Sequence, residues 1–327
     1  MTASHASSAP TALSLHTLHG ETMGTSWCVK LVASPRADLH SIHTGIQAQL
    51  DRVVAQMSTW ETDSDISRYN RAATGTWQSV PPEFFAVLGC AIEIARESGG
   101  AYDPTVGALV ETWGFGPSPG GHRVPNEDEL ASVRTMLGWG RISMRPEDMS
   151  MLQPGGVQLD LSAIAKGYGV DQVTLHLRGQ GIVAALVEVG GELYGYGRKP
   201  DGTAWQVLVE AMPDSGFEEG SRVIELDGIA VATSGDRWHA FEQGGVLYSH
   251  TLDPRTGSPV LNTTAAVTVI ADQAMQADAW STALTVLGAE AGHRFAQQRN
   301  IAARFMVRGG PAPVESITDA FRARLPA

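Results

Sequence analysis

The stretch VQLDLSAIAKGYGVDQVTLHL, residues 157–177, decides how this chain folds. Val157 to Leu161 reads as a buried strand, and it runs straight into a helix from Ser162 to Leu177. A helix entered this way turns its unpaired N-terminal amides toward the space beyond the strand, where Asp160 also stands. Such N-termini attract phosphate, and Lys166 adds a positive charge one turn along. In isolation the commoner outcome of this pattern is a plain serine N-cap with a surface lysine.

Outward from that stretch, helices and strands come in runs. Leu39, Ile42, Ile46, Leu50, Val53, Val54 and Met57 fall at three- and four-residue steps, an amphipathic helix from Leu39 to Met57. Pro81-Pro82 opens a second helix that Gly99-Gly100 stops, and 117–122 is a Gly/Pro-rich loop. Strands are expected at 27–32, 184–189, 205–209, 223–232, 265–270 and 303–307, with helices at 277–287 and 291–298. Strand runs with helices between them predict an α+β fold with a large mixed β-sheet flanked by helices. The expected organisation is a disordered leader over 1–18 and one domain over 19–327, internally bilobed at most.

The composition, 43% hydrophobic and 18% charged, is that of a globular protein with ample material for a core. The net charge of −12 argues against a nucleic-acid backbone as the natural partner. It leaves room for a single phosphate-bearing cofactor, because a local cation overrules the global field. Cys28 and Cys90 lie in apolar runs and read as small core residues, with no CxxC motif. No run approaches the length of a membrane helix, and the first ten residues lack a signal-peptide pattern. A cytoplasmic location is therefore expected, with the periplasm as the alternative for a chain missing its native signal.

Four segments carry chemistry. Tyr248 to Gly257 places His250, Asp253, Arg255 and Thr256 around a Pro/Gly turn. Histidine moves protons near neutral pH and arginine fits phosphate bidentately, although a polar hairpin turn explains the segment equally well. Gly100 to Gly107, with Ala101, Tyr102 and Asp103, sets a carboxylate between aromatics and suits a flat heteroaromatic ligand; an Asx turn is the plainer reading. Asp278 and Thr282 stand four apart on one helix face, a sparse oxygen pair of the kind Mg²⁺ takes, with a capping Asp and a core Thr as the default. The Asp160–Lys166 segment is the fourth. Supporting pieces are Met23-Gly24-Thr25, Gly190-Gly191, 233–236 and Trp60, which either stacks on a ring or sits in the core. There is no P-loop, GxGxxG, GxSxG or HExxH motif.

Together these segments resemble the ApbE family of FAD:protein FMN transferases. The likeness runs from about Glu21 to Leu287, through ETMGT (21–25), MSTWETDSDISRYN (57–70), GGAYDPTVGALVETWGFGP (99–117), LDLSAIAKGYGVD (159–171), VEVGGELYGYG (187–197), ATSGDRW (232–238), YSHTLDPRTGSPV (248–260) and ADAWSTAL (277–284). Eight blocks in one order make it specific; no single block would. The resemblance implies an ApbE-like, T-fold-like architecture and Mg²⁺-dependent transfer of FMN from FAD to a Ser or Thr of a target flavoprotein, with AMP released. It implies that Met23, Trp60, Ala101, Tyr102, Asp103, Asp160, Lys166 and Leu252 hold FAD. Ala163, through its carbonyl, Asp278 and Thr282 would hold Mg²⁺, with Ser281 a weaker candidate, and His250 would be the base. Two departures stand out. Thr251 replaces an expected branched apolar residue, and the lipoprotein signal of exported members is absent. An FAD pyrophosphatase and a non-enzymatic flavin-binding protein are the competing readings.

Overall fold

In the computed structural model, which describes residues 13–210, 220–235, 240–260, 264–308 and 313–325, eight strands form one sheet. They are β1 (Ser14–Thr22), β2 (Thr25–Ala33), β3 (Ala185–Val189), β4 (Glu192–Tyr196), β5 (Ile229–Gly235), β6 (Thr264–Ala271), β7 (Ala302–Val307) and β8 (Val314–Ile317). Their order in space follows their order in the chain, and every neighbouring pair is antiparallel. The α+β class is as expected, but the sheet is antiparallel throughout and not mixed. The helices between strand runs are insertions between antiparallel neighbours, so they create no parallel crossover.

Three further expectations change. Ser14 to Leu18, read as the end of the leader, pair with Leu31 to Ala33 and beyond as the first half of β1. Their alternating exposure and polar composition hid the strand; residues 1–12 lie outside the described part. The run 223–232 is broken by Asp227-Gly228, where Gly228 has φ +79. Its first part, Arg222–Leu226, pairs with Trp205–Val209 in a separate two-stranded sheet. Val157 to Leu161 buries Val157, Leu159 and Leu161 but joins no sheet; it makes one isolated bridge, Val106 to Gln158. Its polar groups are served one by one instead. The Leu159 amide donates to Asn70 Oδ1 at 2.7 Å, Asn70 Nδ2 donates back to the Leu159 carbonyl at 2.9 Å, and the Asp160 amide donates to the Pro104 carbonyl at 2.9 Å.

Helix α1 spans Leu39–Met57, α2 Pro82–Glu97, α3 Ser162–Gly179 and α4 Ala274–Leu287. One core lies between the sheet (Trp27, Val29, Val187, Val267) and α1, α3 and α4, through Ile46, Leu50, Val173 and Leu284. A second lies among the helices, joining Phe84 and Leu88 of α2 to Ile164 and Tyr168 of α3 and Ala279 and Ala283 of α4. Because α3 serves both cores, it is apolar around much of its circumference, and the usual one-sided pattern is lost. The opposite face of the sheet is covered by Trp205, Ile224, Leu226 and Phe321. Among the described residues no helix is long and apolar enough to cross a membrane.

The contact between α3 and α4 is close because Gly167 has no side chain. A Cβ there would fall 2.3 Å from the carbonyl oxygen of Ala274. Gly89, in the middle of α2, would meet nothing within 4 Å. Denaturant unfolding should therefore separate the two: Gly167→Ala destabilises by about 1–3 kcal/mol through overpacking, whereas Gly89→Ala stabilises by about 0.5–1 kcal/mol. Equal responses from the two glycines would contradict the close approach.

Candidate active site

The start of α3 is irregular. Ala163 has φ −92° and ψ 19°, outside the helical range. Asp160 Oδ1 accepts from the Ser162 amide at 2.8 Å, and the amides of Ile164 and Ala165 bond to the Leu161 carbonyl. The expected serine cap is thus replaced by an Asp160 turn with Leu161 at the cap position. In a regular helix the Gly167 amide would serve the Ala163 carbonyl. Here it donates to Asp278 Oδ2 at 3.0 Å, across the seam to α4. The start of α3 is thereby tied to a buried carboxylate of α4, one turn after the point where its backbone leaves the helical range.

Thr282 lies one turn along α4 from Asp278 and is half-buried. Carbonyl, carboxylate and hydroxyl make a hard-oxygen set that fits Mg²⁺, which keeps much of its shell for water and phosphate. Among the described residues no three His, Cys, Asp or Glu side chains gather as a metal group. Ser281, the weaker candidate, donates its hydroxyl to the Asp278 carbonyl at 2.8 Å.

Lys166 forms an ion pair with Glu192, the first residue of β4. Burial opposes the Lys166 charge, but Asp278 and Glu192 outweigh it and hold the ammonium firmly protonated. Burial raises both carboxyls above the usual range, Glu192 to about 8, and the charge of Lys166 offsets only part of that rise. Gly190 and Gly191 form the turn before β4, with φ +58 and +99. A Cβ on Gly190 would lie 3.1 Å from Lys166 Cδ and 2.8 Å from Thr25 Cγ2, so the close approach it permits is that of the chain's own lysine stem.

Tyr102 is buried beside this group. Burial raises its phenol well above the ordinary range, and the charges of Asp278 and Asp160 add to that. Its hydroxyl has no hydrogen-bond partner among the described residues, the condition of a buried polar atom that a ligand would satisfy. Ala101 is buried with it. Asp103 is already engaged: Thr105 donates its amide (2.8 Å) and hydroxyl (2.6 Å) to Oδ1, and the Trp139 amide donates to Oδ2 at 3.2 Å. The Asx turn therefore describes its bonds.

Met23 occupies the turn between β1 and β2 with φ +50, followed by Gly24 at φ +70. A non-glycine residue in that region costs on the order of 1 kcal/mol and persists where its surroundings demand it. Met23 packs against both cores at once. Trp60 is 65% exposed, which removes the core alternative and leaves its ring free to stack.

His250 joins the strand Val246–Ser249 to Leu252–Asp253. The Arg255 offered to phosphate in the sequence is clamped by Asp253, through Nε at 2.9 Å and Nη2 at 2.8 Å. The turn that follows is tied down by Trp113 Nε1, which donates to the Gly257 carbonyl at 3.0 Å, and by Arg134, which donates to the Thr256 carbonyl. Leu252 is buried in a different cluster, among Leu109, Trp113, Leu130 and Val133. Thr251 is buried, and its amide donates to Ser249 Oγ at 3.1 Å. Asp236 lies outside the described residues.

Two residues that hold the site together were not singled out in the sequence. One is Glu192. The other is Asp171 of α3, whose two oxygens accept from the Ala274 and Met275 amides at 2.8 and 3.0 Å. It caps α4 from a neighbouring helix, 103 residues away along the chain for Ala274, which no local cap signal reveals.

These features define an α+β protein with a buried polar group of Lys166, Glu192, Asp278 and Tyr102 where α3 meets α4. The chain belongs to the ApbE family, which matches it over residues 23–305. The FAD:protein FMN transferase of Vibrio cholerae serotype O1 is 37% identical over 306 residues, covering 93% of this chain and 91% of that protein. The Escherichia coli K12 protein of the same name is 30% identical over 296 residues, covering 90% and 84%. The apo crystal structure of Pseudomonas stutzeri flavinyl transferase ApbE superposes with a TM-score of 0.89 at 37% identity, over 96% of this chain and 98% of that one.

The Asp171 cap has a pH signature. Burial pushes its carboxyl up to about 6, against the two amide hydrogen bonds that favour the ionised form. With the folded value above the ordinary ~3.9, the native state holds a proton the unfolded chain has already lost. That contribution to stability is complete below pH ~4 and disappears as the pH rises through about 6. Between those limits Asp171→Asn should gain on the wild type by about 1–3 kcal/mol in unfolding free energy. A difference that does not move with pH would contradict this.

Proposed function

We propose that this chain transfers FMN from FAD to a Ser or Thr hydroxyl of a target flavoprotein, in a Mg²⁺-dependent reaction. The observation that carries the reading is the Gly167–Asp278 hydrogen bond, which holds a buried carboxylate of α4 against the non-helical start of α3, one residue from Lys166. Relatives bearing the name FAD:protein FMN transferase over most of the chain supply the substrate class.

The acceptor oxygen attacks the phosphorus of the FMN half, forming a phosphoester, and the bond to the AMP half breaks. The hydroxyl proton passes to His250, acting as general base, a step worth about 10²–10⁴-fold. Lys166 faces the diphosphate and stabilises charge on the departing AMP. Bound Mg²⁺ would supply further neutralisation at the Ala163, Asp278 and Thr282 oxygens. Tyr102 offers its buried hydroxyl to the ligand, Ala101 and Met23 wall the pocket, Asp103 and Asp160 hold the loops that form it, and Trp60 stacks at the entrance. Leu252 anchors the His250 segment to the cluster of Leu109, Trp113, Leu130 and Val133.

The test is incubation with FAD, Mg²⁺ and a protein carrying an acceptor Ser/Thr, read by intact mass. The expected gain is FMN minus water, abolished by EDTA and by Asp278→Ala. His250→Ala keeps FAD binding and lowers transfer by about 10²–10⁴-fold. Wild-type flavinylation by His250→Ala would remove the histidine from its role. Free FMN and AMP with an unmodified acceptor would favour the pyrophosphatase; intact FAD throughout would leave a flavin-binding protein.

A further inference from the structure

We infer that Glu192 is a positioning residue of this site: its buried carboxylate holds the Lys166 ammonium and supplies the second negative charge that lets a divalent cation share the α3–α4 seam with that lysine. The inference rests on the reading just proposed and assigns a role to a residue outside it.

Glu192 is 3% exposed, and carboxylates are rarely buried so deeply without a partner. Oε1 pairs with Lys166, while Oε2 has no hydrogen-bond partner among the described residues. Its place is set by backbone. Val189 and Glu192 are register partners across a turn whose two residues, Gly190 and Gly191, both have positive φ. The Lys166 stem runs beside this turn, where a Cβ on Gly190 would come within 3.1 Å of its Cδ. The next residue, Gly167, holds Asp278. The Lys166 ammonium is therefore paired with Glu192 and feels the charge of Asp278; when both carboxyls are ionised, the three groups carry one net negative charge.

That charge decides what binds. A divalent cation enters a site that is net negative, and the resulting single positive charge then meets the two charges of a diphosphate. With a neutral side chain at 192, Lys166 and Asp278 already cancel, so the cation loses attraction while the diphosphate gains it. A purely structural role for Glu192 predicts something different, the weakening of both ligands together.

The experiment measures Mn²⁺ binding by electron paramagnetic resonance, and FAD binding in EDTA by flavin fluorescence, for wild type, Glu192→Gln and Glu192→Gln/Lys166→Met. Glu192→Gln should weaken Mn²⁺ by about tenfold or more, as expected for losing a unit charge nearby in a partly desolvated site. FAD binding in EDTA should stay equal or tighten. The double variant restores the single net negative charge and should return Mn²⁺ affinity to within a few-fold of wild type; it also carries the test should the single variant fold poorly. Parallel loss of both ligands, no change in either, or no recovery in the double variant would overturn the inference. Wild type that binds neither Mn²⁺ nor FAD would overturn the underlying reading as well, and is distinguished because the failure appears before any substitution.

Discussion

Two helices come as close as α3 and α4 only where one of them gives up a side chain, and Gly167 is that place. The missing Cβ lets Ala274 lie against the α3 backbone, and the same approach brings Asp278 onto the Gly167 amide. One hydrogen bond thereby performs two tasks. It satisfies part of a buried carboxylate that would otherwise be costly, and it ties the non-helical start of α3, with Ala163, to α4. Packing and site chemistry depend on a single contact, so each constrains the other.

The rest of the site is arranged around that seam. Two cores meet there, one between sheet and helices and one among the helices, with Met23 and Trp280 packed against both. Asp171 fixes the start of α4 by capping it, and the Gly190-Gly191 turn fixes Glu192 opposite Lys166. The cost is visible locally: a methionine at positive φ, a buried phenol without a hydrogen-bond partner among the described residues, and two carboxyls crowded on one ammonium. Such unsatisfied groups gather where binding is expected to satisfy them.

How much of this was legible in the sequence follows the range of the forces involved. Helix α1 begins and ends where its three- and four-residue periodicity places it, because an amphipathic helix on a core is a local pattern. Segment 157–161 reads as a strand from its apolar residues, yet its hydrogen bonds go to Asn70 and Pro104, choices no local pattern specifies. The Asp227-Gly228 break is short enough to vanish inside an apolar run, and β1 is too polar and alternating to stand out. Among site residues, Asp278, Lys166 and Tyr102 were found through motif order and fall into one polar cluster. Glu192 was missed because its partner is 26 residues away and its meaning is electrostatic, which appears only once Lys166 has been placed. Arg255, prominent in the sequence, is occupied by Asp253 two residues before it.

The most direct test of the seam as a metal-binding site is a crystal structure of the protein with FAD and Mn²⁺, located by anomalous scattering. The arrangement described here predicts a peak bound by the Asp278 carboxylate, the Thr282 hydroxyl and the Ala163 carbonyl, with the FAD diphosphate completing the shell. A peak away from α4, or a metal ligated by Glu192 with the Gly167–Asp278 bond intact and the Ala163 carbonyl turned away, would contradict it.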